Sequence, residues 1–184
     1  MLKIFNKILS AANGRNVFLF LVPSLVVYYV MLFYSIPAVQ SFSPEMKVFD
    51  LLPAGYSYDY AMKLLTSLGD EGRETYLYKQ LPLDFIYPVL FSISSFLLLA
   101  WLFSKRSKDD SNIYYLCFVP IFAGLFDYLE NIIVVAMIYS YPDISHNMVA
   151  LSSAATIVKS GLTTIFFLLL FYGFIRLYIN LGKK

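Results

Sequence analysis

The run GLFDYLENIIVV, residues 124 to 135, sets Asp127, Glu130 and Asn131 inside a long apolar stretch. On a helix, side chains three and four positions apart are neighbours, so all three lie on one side. A second stretch, SSAATIVKSGLTT, spaces Ser152, Thr156, Lys159 and Thr163 by four, three and four residues, and Lys159 is the only charge on that stripe. A third acid, Asp84, stands near the start of another apolar run, with Tyr87 and Pro88 one turn on and Ser92 and Ser95 beyond. Paired carboxylates facing an ammonium in a low-dielectric site have a definite chemistry. They titrate as a unit, and they can serve as a general acid and base, carry a proton, or bind a polar ligand group. Asp127 and Glu130 are the candidate acid–base pair. The candidate ligand-binding or proton-carrying set is Asp84, Asp127, Glu130, Asn131, Thr156, Lys159 and Arg73. Arg73, in LGDEGRETYL, reads either as a head-group contact or as a cap over the pocket.

Composition says where these residues sit. The chain has 184 residues, 59% of them hydrophobic and 14% charged. Its mean hydropathy is +0.68. A soluble domain is nearer half apolar and a quarter charged, so this is a membrane chain of one domain, residues 1–184. A net charge of +2, with no basic patch interleaved with aromatics, argues against a nucleic-acid partner. The single cysteine, Cys117, reads as a packing residue and excludes an internal disulfide or paired-thiol redox chemistry. The single histidine, His146, reads as a loop residue and excludes multi-histidine metal sites and bis-histidine haem ligation. No metal and no cofactor are expected, and the expected partners are membrane lipids and a small-molecule or lipid ligand.

Four apolar segments, 17–37, 83–103, 113–139 and 148–177, each hold the roughly 20 residues a spanning helix needs. Backbone polar groups must be satisfied internally in lipid, so these are helices. Residues 1–16 place Leu2, Phe5, Ile8, Leu9 and Ala12 on one face with Lys3 and Lys7 off it, the pattern of an interfacial helix, ended by Asn13-Gly14. The first loop, 38–82, is expected to form an extracytoplasmic cap. Ser57 starts a helix that Gly69 ends, and a second helix begins near Asp70 with Glu71 and Glu74 in its first turn. Lys3, Lys7, Arg15, Lys105, Arg106, Lys108, Arg176, Lys183 and Lys184 cluster at one end, whereas SYPDISHN between the last two spans has no Lys or Arg. The positive-inside rule then puts both termini in the cytoplasm, in a plasma (inner) membrane.

With the third span running outward and the fourth inward, Glu130 and Lys159 fall about nine to eleven residues from their outer ends, within a turn of equal depth. An unpaired Lys in hydrocarbon costs several kcal/mol, so Lys159 is expected to pair with Glu130, Asp127 or both. The polar residues concentrate in the outer half, where Tyr28, Tyr34 and Ser35 of the first span join them. The inner half is mostly Leu, Phe and Ile. A pocket open to the outside or the outer leaflet follows. Such a cluster can also be glue between helices, although intramembrane ionisable groups more often mark function.

Across residues 64 to 160 the chain resembles four-span bacterial membrane proteins that share a Gly-Arg-x-x-Tyr-Leu run, an Asp before Phe/Tyr-Pro, an Asp-x-x-Glu-Asn and a Thr-x-x-Lys. The matching residues are Gly72, Arg73, Tyr76, Leu77, Asp84, Pro88, Asp127, Glu130, Asn131, Thr156 and Lys159. The resemblance implies no particular activity. The resulting expectation is an all-α, four-transmembrane-helix bundle with an interfacial N-terminal helix and a helical cap, binding a small or lipidic ligand in an outward-facing polar pocket. The alternatives are a membrane enzyme acting on a lipid or isoprenoid through Asp127 and Glu130, and an accessory subunit whose cluster only holds the bundle.

Overall fold

The computed structural model describes residues 11–104 and 111–181. Residues 1–10 of the expected interfacial helix lie outside them. The chain is all-α, with four helices long and apolar enough to cross a bilayer and no strand among the described residues. The spans are α1 (Gly14–Gln40), α3 (Leu81–Ser104), α4 (Val119–Ser140) and α5 (His146–Leu181), and α2 (Tyr58–Thr75) lies in the first loop. The expected spans are met to within a few residues at most ends. Phe18, Phe33, Leu168 and Phe171 are among the large apolar side chains left on the outside of α1 and α5, as a lipid-facing surface requires.

Asn13-Gly14, read as a stop, also starts α1: the Asn13 side chain accepts from Asn16 N–H at 2.9 Å and caps the helix. The α-helical part of the third span begins later than expected. Residues Ser111–Phe118 form a 3₁₀ helix, and α4 starts at Val119 with Pro120 in its first turn, where a missing N–H breaks no helical hydrogen bond.

Ser57 caps α2 through Tyr60 N–H, as its sequence implies. Gly69, at φ 63°, breaks the helix in the left-handed conformation that glycine adopts without strain. The stretch after Gly69 is not a separate short helix. It runs through a π-helical turn, Tyr76–Gln80, directly into α3. The reason is Pro82. A proline cannot donate to the carbonyl four residues back, and its ring crowds that carbonyl. Widening the preceding turn relieves the clash without ending the helix. Leu81 N–H accordingly bonds Tyr76 O, five residues back. The same solution appears in α1, where Met31–Ser35 is π-helical ahead of Pro37 and Ile36 N–H bonds Met31 O. The two widened turns meet, and buried Ser35 Oγ donates to Gln80 Oε1 at 2.5 Å.

The spans pack in sequence, α1 on α3, α3 on α4 and α4 on α5. A methyl group at position 124 would overlap Ser92 Oγ, so Gly124 permits the close approach of α4 to α3, and Ser92 Oγ donates to Pro120 O at 3.0 Å. One core, at the cap end, joins Val39, Val48, Phe49, Leu64, Leu65 and Tyr76 to Met137 and Ile144. The other, at the opposite end, joins Ala12 and Val17 to Leu99, Phe103, Cys117 and Phe166, with Leu177 against it. The start of α1 and the Leu177 region of α5 therefore lie away from the cap. The first and last spans, α1 and α5, make no packing contact comparable to the other neighbours.

Candidate functional site: a charged cluster at the end of an intramembrane cavity

Lys159 Nζ lies 2.5 Å from Glu130 Oε2 and 2.9 Å from Asp127 Oδ1. Both carboxylates come from one face of α4, three residues apart, and the ammonium comes from the facing stripe of α5. Glu130 is fully buried, and its other oxygen accepts from Thr156 Oγ1 at 2.7 Å, one turn before Lys159. Thr156 Oγ1 also lies 3.0 Å from Ser152 O in its own helix, and Ser152 Oγ accepts from Tyr56 OH at 2.7 Å. Burial pushes the Tyr56 phenol further above its ordinary range, so its hydroxyl stays protonated and donates.

The expected pairing is therefore met on both carboxylates, and a third acid joins them. Asp50 Oδ1 lies 3.9 Å from Lys159 Nζ, and Asp50 Oδ2 accepts from Tyr76 OH at 3.0 Å. Asp50 comes from the cap. Residues 46–56 dip into the bundle mouth, with Phe49 stacked on Tyr56 at 4.5 Å and Tyr56 N–H bonded to Ser153 Oγ at 2.8 Å. Gly55, at φ 81°, turns the loop there, and it lies so close to α5 that an added Cβ would sit 2.5 Å from Ser153 Oγ. Asp50 was not among the residues singled out by sequence. Its signal is a lone acid in VFDLLPAGY, residues 48 to 56, between a fully buried Val48–Phe49 pair and an apolar turn.

Asp84 is only 3% exposed, and its carboxyl adjoins that of Asp50. Asn131 serves it indirectly, donating from Nδ2 to the Asp84 backbone carbonyl at 2.8 Å and so fixing α3 against α4. Asp84, Asp127 and Lys159 line the cavity, whereas Glu130 and Thr156 stand behind Lys159 and orient it. Arg73 stands apart. It donates to Leu65 O at 2.6 Å, pairs with Asp70 and lies 4.2 Å over the Tyr141 ring. That bridges the Gly69 break to the preceding turn and ties the cap to the α4–α5 turn. His146, exposed, stacks on Tyr58 at 3.7 Å in the same outer layer. Among the first-span residues, Tyr28 packs on Tyr87 at 5.5 Å and lines the cavity, Ser35 binds Gln80, and Tyr34 faces outward.

The cavity itself has a volume of about 570 Å³, within the range of ligand sites. It lies between α1 and α5, the pair that does not close, and follows α3 from Asp84 to Leu98. At 1.5 Å per residue that is about 20 Å of length. Its charged end holds Asp50, Asp84, Asp127 and Lys159, and its far end is walled by Leu21, Leu98, Phe166 and Leu170. Ser94, Ser95, Thr163 and Thr164 are spaced along it.

No protein family, curated protein or solved structure matches this chain. Its function is argued from the site alone.

The described residues contain no group of three or more His, Cys, Asp or Glu side chains arranged to hold a metal ion. The polar side chains instead form a cluster across four elements: Tyr76 donates to Asp50, Lys159 reaches Glu130, Asp127 and Asp50, Thr156 donates to Glu130, and Tyr56 donates to Ser152 Oγ.

Proposed function

We propose that this membrane protein binds an amphiphilic, lipid-like molecule, with its polar head at the Asp50, Asp84, Asp127 and Lys159 cluster and its chain in the furrow between α1 and α5. The observation that carries this reading is the shape and chemistry of the cavity between α1 and α5. It is long, apolar along most of its length and charged at one end. A purely structural cluster would be dry and fully paired. Here Asp84 lines a cavity and its Oδ2 accepts no hydrogen bond, which supports a ligand over helix glue. Entry is sideways from the bilayer, because the gap between the first and last spans faces lipid.

Filling the furrow tests the reading. Leu98→Trp puts an indole where the chain would lie, far from the charged cluster. Native mass spectrometry of protein released from lipid nanodiscs is expected to show one retained amphiphile per chain, and Leu98→Trp is expected to lose most of it. Equal retention by the variant would sink the binding site as placed here.

The charged end belongs on the extracytoplasmic side. In sequence, Lys3, Lys7, Arg15, Lys105, Arg106, Lys108, Arg176, Lys183 and Lys184 flank the span ends away from the cap, the longer cap loop carries Lys47, Lys63, Arg73 and Lys79 alongside acids, and the loop after α4, residues 141–145, has no Lys or Arg. The chain then sits in a plasma (inner) membrane with both termini cytoplasmic. In a Cys117→Ser background, a cysteine at Ser145 is expected to react with an impermeant maleimide added outside cells, and one at Ser107 to react only after lysis. The opposite pattern would invert the topology.

A further inference from the structure

Four carboxyls, Asp50, Asp84, Asp127 and Glu130, gather round a single ammonium. Lys159 has Glu130 and Asp127 as its nearest partners, at 2.5 Å and 2.9 Å, and reaches Asp50 only at 3.9 Å. What is left over is on the cavity side. Asp84 is 97% removed from solvent by its 3% exposure, and no described residue donates to its Oδ2. Its neighbour there is another carboxyl, Asp50. The two carboxyls adjoin, so a proton shared between them is the one donor the protein offers there, and the pair keeps a negative charge that Lys159, 3.9 Å from Asp50, does not closely take up. A buried carboxylate without a partner is costly, so the site has a place for a positively charged donor that the protein does not supply.

The lining restricts what that donor is attached to. Among the described residues no three His, Cys, Asp or Glu side chains, these carboxyls included, are arranged to hold a metal ion. An anionic head would face like charges. A hydroxyl donates a single hydrogen bond and leaves the charge uncompensated, whereas an ammonium donates up to three and compensates it. Behind the head, the walls for about 20 Å are Leu, Phe and an occasional hydroxyl. We infer that the ligand is a long-chain amine, an ammonium group on an extended hydrocarbon chain, whose head sits between Asp84 and Asp50 and whose tail follows α3 towards Leu98. This rests on the amphiphile reading above and narrows it to one head-group chemistry. Tyr28 and Tyr87, with ring centroids 5.5 Å apart, line the cavity together with Asp84.

The test offers the nanodisc-embedded protein hexadecylamine, hexadecanol and hexadecanoate, with retention read by native mass spectrometry. Lysophosphatidylethanolamine against lysophosphatidylglycerol is a further pair, because the same ammonium can come from a free amine or a phospholipid head. The amine is expected to be retained about tenfold or more above the alcohol and the acid. Asp84→Asn should erase that preference while leaving hexadecanol retention unchanged. Should Asp84→Asn fail to fold, Asp50→Asn carries the same comparison from the cap loop. Equal retention of all three chains, or an amine preference that survives both variants, overturns the amine assignment and leaves the amphiphile site standing. Retention of none of them overturns both.

Discussion

Replacing Lys159 with Met is expected to cost roughly 3–5 kcal/mol of stability, the range found when one partner of a buried ion pair is removed. The variant should insert poorly or unfold at a clearly lower temperature in detergent. Its methylenes can still pack, so the loss is electrostatic. Glu130 and Asp127 would remain beside each other with Asp50 and Asp84 nearby, and no cation would be left among them. Glu130→Gln should be milder, because Lys159 keeps Asp127 at 2.9 Å and the amide still accepts from Thr156. The triple change Asp127→Asn, Glu130→Gln, Lys159→Met removes the two nearest acids together with their cation and should regain part of the lost stability, the remainder reflecting Asp50 and Asp84, which still lack a cation. Ligand retention should not return with it if the charges exist for binding. Thermal unfolding of the three variants checks this series. If Lys159→Met is as stable as the parent, the ion pairs contribute nothing and the cluster loses its organising centre.

The four spans were legible because hydropathy and length are local properties, and a bilayer leaves a hydrophobic segment almost no choice of structure. The Lys159 pairing was legible for a related reason. In α4 and α5 the residue spacing fixes which side chains share a face, and the short connection between them makes the helices antiparallel neighbours, so depth can be counted along each. Asp50 escaped the same treatment. It lies in an irregular loop where no period says which way a side chain points, and its approach to Lys159 depends on the turn at Gly55 and on Phe49 packing under the cap. The cavity also had no signature in sequence. It exists because α1 and α5 fail to close on each other, a property of the whole bundle that no single segment carries. The join of the second loop helix, expected from Asp70, to α3 is hidden in sequence because a proline such as Pro82 commonly marks a helix boundary. A widened turn at Tyr76–Gln80 accommodates the proline at the cost of one register step, and the helix continues. Arg73 drew attention as an isolated cation, yet its partners are Asp70, the Leu65 carbonyl and the Tyr141 ring, all at the cap surface.

The cap loop's hold on the cluster predicts a second large effect, at a residue with no charge. Gly55→Ala is expected to cost roughly 2–5 kcal/mol, from two sources that act together. A left-handed backbone costs a residue with a Cβ about 1–2 kcal/mol. Overpacking against fixed neighbours adds about 1–3 kcal/mol. The neighbours are fixed here. The added carbon would sit 2.5 Å from Ser153 Oγ and 2.8 Å from Ile157 Cδ1, and Ser153 Oγ is held by the Tyr56 N–H bond at 2.8 Å. Relief requires the loop to lift away from α5. That breaks the Tyr56 bonds to Ser153 and Ser152 and draws Asp50 away from Lys159, while the Lys159 pairs with Glu130 and Asp127, which belong to α4 and α5 alone, stay in place. Hydrogen exchange should therefore accelerate in residues 48–56 and not in α4. Gly161→Ala is the matched control, because nothing lies within 4 Å of its added carbon and alanine favours a helix over glycine by about 1 kcal/mol. If Gly55→Ala leaves exchange in the loop unchanged, the cap does not depend on this close approach. Asp50 would then be held by Tyr76 and Phe49 alone, and the charged end of the cavity would be built on the loop's core packing rather than on its contact with α5.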